Sequence, residues 1–121
     1  KEFFWLEPGT YCISASMLPC IYVRPWQAWN EDYERQYQAD LKTITELLEQ
    51  QRRDPGMYER MVNDPAKAEE SKRLSETLHR FDELRFARLC NYLWQREPDD
   101  SVGHSILIYH LDEDDLDRAL N

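Results

Sequence analysis

The densest cluster of groups able to do chemistry is the acidic run Asp112, Glu113, Asp114, Asp115 and Asp117. Clustered carboxylates suggest calcium. A calcium loop, however, needs a glycine at its sharp turn and a distal bidentate glutamate, and the run has neither. Acids in the first turn of a helix, stabilised by the positive end of its dipole, account for the run instead. The histidines are His79, His104 and His110. His104 and His110 flank a strand-like stretch and would point to one side of it. At strand rise they stand about 20 Å apart, too far to share one ion. No metal site and no cofactor are expected.

Nucleophiles fare no better. Ser14, Ser16 and Ser105 lack a G-x-S-x-G context. Cys12 has no indicated base. The glycines, Gly9, Gly56 and Gly103, are too scattered to cradle a phosphate. Cys12, Cys20 and Cys90 show no CxxC spacing, and their odd number leaves at least one thiol free. Cys12 and Cys90 lie among apolar residues and are expected to be buried. An oxidising compartment would permit a Cys12–Cys20 disulfide. The residues therefore spell no complete catalytic site. They do offer aromatics. Trp26 and Trp29 lie in a proline-containing loop, and Tyr11 and Tyr109 lie on two strand-like stretches. These four are the candidate docking contacts.

Stepping from groups to the elements that carry them, Glu7-Pro8-Gly9-Thr10 is turn chemistry. Residues 11–18 then alternate, with Tyr11, Ile13, Ala15 and Met17 apolar, which predicts a half-buried strand. Asn30 is an N-cap with Glu31 and Asp32 behind it. Tyr33, Tyr37, Leu41, Ile44, Leu47 and Leu48 recur every three or four residues, predicting an amphipathic helix that ends near Arg52-Arg53 before Pro55-Gly56. Residues 57–63 predict two turns with Tyr58, Met61 and Val62 inward. Asp64-Pro65 opens a second long helix over 65–95. Its stripe is Leu74, Leu78, Phe81, Leu84, Leu89 and Leu93, thickened by Phe86, Cys90 and Trp94. Its charged start, 67–73, should project into solvent or meet something outside the chain. Its more apolar end should pack on the sheet. Residues 105–111 predict a second strand buried on both faces. Asp112 caps a last helix over 113–120, with Leu116 and Leu120 inward.

The expected fold is α+β: a small sheet of two main strands, a long antiparallel helical hairpin (30–95) inserted between them, and a short C-terminal helix, in one domain over 1–121. The net charge of −9 argues against nucleic acid, which requires a basic stripe, and against anionic lipid. No apolar run approaches the roughly 20 residues of a membrane span. The first residues show no signal-peptide pattern. Phe3, Phe4, Trp5 and Leu6 at the start read as the cut end of a longer chain or as a processed product.

Two stretches resemble a known family. Pro8-Gly9-Thr10-Tyr11-Cys12-Ile13-Ser14-Ala15 is similar to a Pro-Gly-x-Tyr-Ala-Ile-Ser strand. Arg96-Glu97-Pro98, followed by Val102-Gly103-His104-Ser105-Ile106-Leu107-Ile108-Tyr109, resembles an Arg-x-Pro…Gly-His-Ser-Ile-x-Val-Tyr strand. Both occur, in that order, in the C-terminal extracytoplasmic region of bacterial integral-membrane glycosyltransferases resembling dolichyl-phosphate-mannose–protein mannosyltransferases. The resemblance covers under a quarter of the chain, and the intervening segment is much longer than in that family. It implies a soluble domain following membrane helices, on the periplasmic face of the inner membrane. The parent enzyme would use a polyprenyl-phosphate sugar donor. The family's catalytic carboxylates lie near its first membrane helices, so none is carried over. The implied role is a non-catalytic accessory domain docking acceptor or partner. Its partners would be the rest of the parent protein, another protein, or a second copy joined through an exposed sheet edge. A free-standing, cytoplasmic, acidic helical interaction module, an adaptor or inhibitor, is the alternative.

Overall fold

The computed structural model describes residues 6–18 and 29–121. The fold is α+β, and the chain divides into two compact units.

The first unit comprises Lys1–Trp29 and Glu83–Asn121. Its described part holds a three-stranded antiparallel sheet in the order β1-β3-β2, from β1 (Gly9–Ser14), β2 (Asp100–Val102) and β3 (Ile106–Leu111). β1 and β3 pair over their whole length, with Gly9 opposite Leu111, Tyr11 opposite Tyr109 and Ser14 opposite Ile106. The expected first strand ran on to residue 18, but β1 stops at Ser14. Its partner stops at Ile106, so the ladder has nothing further to pair with. The chain makes one last bond, Ala15 N–H to the Ser105 carbonyl at 2.9 Å. It then turns, with the Met17 N–H reaching Ser14 O at 3.0 Å. β2 was not expected, because three exposed residues, Asp100, Ser101 and Val102, carry no periodic signal.

Strand periodicity divides this sheet into two faces. Ile13, Tyr109 and Leu111 are buried on one. That face packs on Ala87, Leu89, Cys90 and Leu93 from the later part of α3 (Ala68–Trp94), and on Leu116 and Ala119 from α4 (Glu113–Leu120). The apolar end of the long helix thus covers the sheet, as its composition predicts. Burial of residues 105–111 on both faces does not hold. His110 and Ile106 are exposed and alternate with buried Tyr109 and Leu111, because the helices of this unit cover one face only. Cys12 is exposed rather than buried for the same reason, since it sits opposite Ile108 on the other face. Cys90 is buried, and Cys20 lies outside the described residues. Trp94, expected on the stripe, is 60% exposed, at the last residue of α3.

The second unit is Asn30–Asp82. α1 (Glu31–Arg53) starts at Asn30, whose side chain accepts the Tyr33 N–H at 3.0 Å. α2 (Met57–Val62) follows the Pro55-Gly56 turn. Asp64 then caps a single 3-10 turn, Pro65–Lys67, that leads into α3. Tyr37 and Phe81 stack with ring centroids 5.3 Å apart, joining α1 to α3. Met61 is buried as expected, but Val62 is half exposed. In a two-turn helix one side alone faces its neighbours, and Met61 holds it. Among the described residues, no helix is long and apolar enough to cross a membrane.

Candidate functional site

Of the four candidate docking residues, Trp26 lies outside the described residues. Trp29 and Tyr11 are half-buried and pack against the core of the first unit. The Tyr11 hydroxyl donates to Glu7 O at 2.5 Å, and burial raises its pKa, partly offset by the nearby Arg85 charge. Tyr109 is fully enclosed, and its hydroxyl has no hydrogen-bond partner among the described residues. Burial pushes its pKa up as well. β1–β3 register sets Tyr11 and Tyr109 side by side on the packed face. The ring of Tyr109 is a core element, and its side chain offers no surface to a partner.

A polar network that the sequence did not reveal holds this unit's helices to its sheet. Arg96, just past α3, donates from Nη1 to Asp115 Oδ1 at 2.8 Å and from Nη2 to the His110 carbonyl at 3.3 Å. The Tyr92 hydroxyl donates to the same Asp115 oxygen at 3.0 Å. Asp99 Oδ2 accepts the His110 main-chain N–H at 2.7 Å. Asp112 and Asp115 form a reciprocal capping box at the start of α4. The Asp115 carboxyl is held below its usual range chiefly by the main-chain N–H of Asp112; partial burial opposes this, and Tyr92 and Arg96 reinforce it. Burial works to lower the Arg96 pKa, but Tyr92 and Asp115 outweigh it and the net shift is upward. The acidic run is therefore a helix start, as its composition suggests. No group of three or more metal-ligating side chains forms among the described residues.

The one nucleophile-to-base contact on the sheet is Thr10 Oγ1 with His110 Nδ1, 3.1 Å apart on the exposed face. Acyl-transfer chemistry needs an acid orienting the other ring nitrogen. The acid in reach, Asp99, is spent on the main-chain N–H instead. Cross-strand pairing of Thr10 with His110 brings the two together from one hundred positions apart, so no local signal could have announced it. The structure also removes His104 from any strand-borne pair with His110. It sits in the β2–β3 turn with φ +119°, beside Gly103 at +64°.

A concavity lies in the second unit. A groove of about 750 Å³ runs between the later half of α1, α2 and the start of α3. Leu47, Met57, Met61 and Leu74 give it an apolar floor, and Glu46 and Gln50 on one wall face Lys67, Glu70 and Arg73 on the other. The charged start of the long helix, 67–73, thus forms a groove wall. Also joining α1 to α3 in this unit, Arg80 donates from Nε and Nη2 to both oxygens of Asp40, each at 2.8 Å. Asp40 is 3% exposed and also accepts from Gln36 at 3.0 Å. The Asp40 bond keeps the Arg80 guanidinium pKa raised. The signal was present in the sequence: Asp40 falls on the Tyr37–Ile44 stripe, and an acid on an apolar stripe requires a buried cationic partner.

No protein-family model, curated protein or solved structure matches the chain. Function therefore rests on geometry. Among the described residues, neither unit shows a nucleophile with an oriented base.

Proposed function

We propose that this domain is a non-catalytic accessory module of a membrane glycosyltransferase that uses a polyprenyl-phosphate sugar donor. It stands on the extracytoplasmic face of the inner membrane and docks an acceptor or partner. In this reading α1 and α3 form a long antiparallel helical hairpin inserted between the two principal strands, β1 and β3. The observation that carries it is the pairing of the two motif-bearing strands. Gly9–Ser14 and Ile106–Leu111 lie at opposite ends of the chain yet are hydrogen-bonded neighbours in full register. The Gly103-His104-Ser105 part of the second motif forms the turn that feeds β3. Two motifs that belong to one sheet are expected to pair.

The test is fractionation of the source cells with antibody raised against this chain. The expected band is larger than the chain's 14.6 kDa. It sediments with membranes and is cut by protease added outside spheroplasts. A band of the chain's own size in the soluble cytosolic fraction overturns this reading. Sugar transfer by the isolated chain would overturn its non-catalytic part. The second reading, a free-standing acidic interaction module, is favoured by the groove, whose apolar floor and charged walls match the make-up of protein-docking surfaces.

A further inference from the structure

The groove of the second unit is complementary in charge to itself, and we propose that a second copy of this chain fills it. The inference does not depend on the glycosyltransferase reading. Level along the arm is fixed by the Asp40–Arg80 pair, because α1 and α3 run antiparallel from there. Six residues beyond Asp40, α1 presents Glu46; seven residues before Arg80, α3 presents Arg73. Both line the groove at nearly the same level, on opposite walls. Among the described residues neither side chain makes an ion pair, and both are exposed.

Two copies laid groove to groove can be related by either of two dyads in the interface plane. A dyad across the arm sets the α1 wall on the partner's α1 wall, bringing acid towards acid. A dyad along the arm sets α1 of one copy over α3 of the other at the same level, so that Glu46 meets the partner's Arg73 twice. Of the two, only the second brings Glu46 to Arg73. It sets α1 and α3 of one copy against α3 and α1 of the other, with the groove floor of Leu47, Met57, Met61 and Leu74 from each copy between them. The contact spans the distal half of the arm, on the order of 20 Å by 20 Å from helix rise and diameter. That is at the low end for specific interfaces, so the dimer is weak and depends on concentration.

The test is sedimentation velocity on the full chain from about 5 to about 500 µM, bracketing the micromolar dissociation constant that small interfaces give. The average mass should rise from 14.6 kDa towards twice that value. Glu46→Arg and Arg73→Glu alone should each weaken dimerisation about tenfold, since each turns two attractions into two repulsions. An equimolar mixture of the two variants should dimerise like the unmodified chain, because every facing pair is again opposite in sign. Circular dichroism of each variant verifies that the helices remain. Three results would overturn the proposal: a monomer at every concentration, a mixture no stronger than its components, or dimers indifferent to both reversals, as joining through the edge strand β1 would give.

Discussion

Removing the Arg80 guanidinium is the sharpest perturbation of the second unit. Both oxygens of Asp40 are engaged by Arg80 at 2.8 Å, and the Asp40 side chain is 4% exposed. Breaking a buried pair from one side strands the remaining charge and costs roughly 3–5 kcal/mol. The Arg80 side chain, however, is 46% exposed, so solvent reaches the pair from one side. Discounting for that screening leaves about 2–3 kcal/mol for Arg80→Met at neutral pH. With a urea m-value near 2 kcal/mol/M, the midpoint should fall by about 1–1.5 M, read by far-UV circular dichroism. The double substitution Asp40→Leu, Arg80→Met removes the stranded charge and extends the Tyr37–Ile44 stripe. It should recover most of the loss, ending within about 1 kcal/mol of the unmodified chain. If Arg80→Met costs less than about 0.5 kcal/mol, the pair is a surface contact and the reasoning fails. If the double variant is no more stable than Arg80→Met, the loss came from the arginine's packing and not from an uncompensated carboxylate.

Three further outcomes are expected. His104→Gly should raise the urea midpoint by an amount equivalent to about 0.5–1 kcal/mol, because φ +119° strains a side-chain-bearing residue and suits glycine. Tyr109→Phe should be neutral or slightly stabilising by thermal unfolding, since it removes a buried hydroxyl that has no partner among the described residues. The tyrosine's raised pKa means that the folded state prefers the neutral ring. That preference is intact below about pH 10 and is lost as pH rises through the folded value, so alkaline spectrophotometric titration should show Tyr11 and Tyr109 ionising late, with Tyr109→Phe removing one of the two. Asp115 has the opposite sign. Its depressed pKa adds stability above the ordinary carboxylate range, and this is lost as pH falls through the folded value. Asp115→Asn should therefore flatten the acid limb of the pH–stability curve.

Where structure follows from neighbours in sequence, the chain announces it. Asn30 followed by Glu31 and Asp32 fixes the start of α1 because a cap needs only the N–H groups of the next turn. Asp112 and Asp115 do the same for α4. Pro55-Gly56 breaks the chain where backbone chemistry alone forces it. Where structure follows from pairing at a distance, the sequence is silent. β2 is three exposed residues that become a strand only because β3 offers an unfilled edge. Alternation through Ala15 and Met17 promised a longer β1, but strand length is set by the partner, and β3 stops at Ile106. The candidate site divides in the same way. Tyr11 and Tyr109 were noticed as aromatics, but which face they occupy depends on the register, and that face is the packed one.

The placement of polarity argues for where recognition happens. Among the described residues of the first unit, a group of polar side chains beside the core is committed to one another and to the main chain. Arg96 ties Asp115 and the His110 carbonyl, Asp99 holds the His110 N–H, and Tyr92 completes the Asp115 shell. Such a closed network fixes how α3, β3 and α4 pack and leaves little to offer a ligand. In the second unit, the Asp40–Arg80 pair is committed likewise, but beyond it the walls carry Glu46, Lys67, Glu70 and Arg73 around an apolar floor. Charged side chains set beside an apolar surface without ion pairs gain little for a lone molecule. They gain specificity once a partner supplies the opposite signs at the matching level. The groove, rather than the sheet with its many aromatics, is therefore the surface on which binding by this chain should be sought.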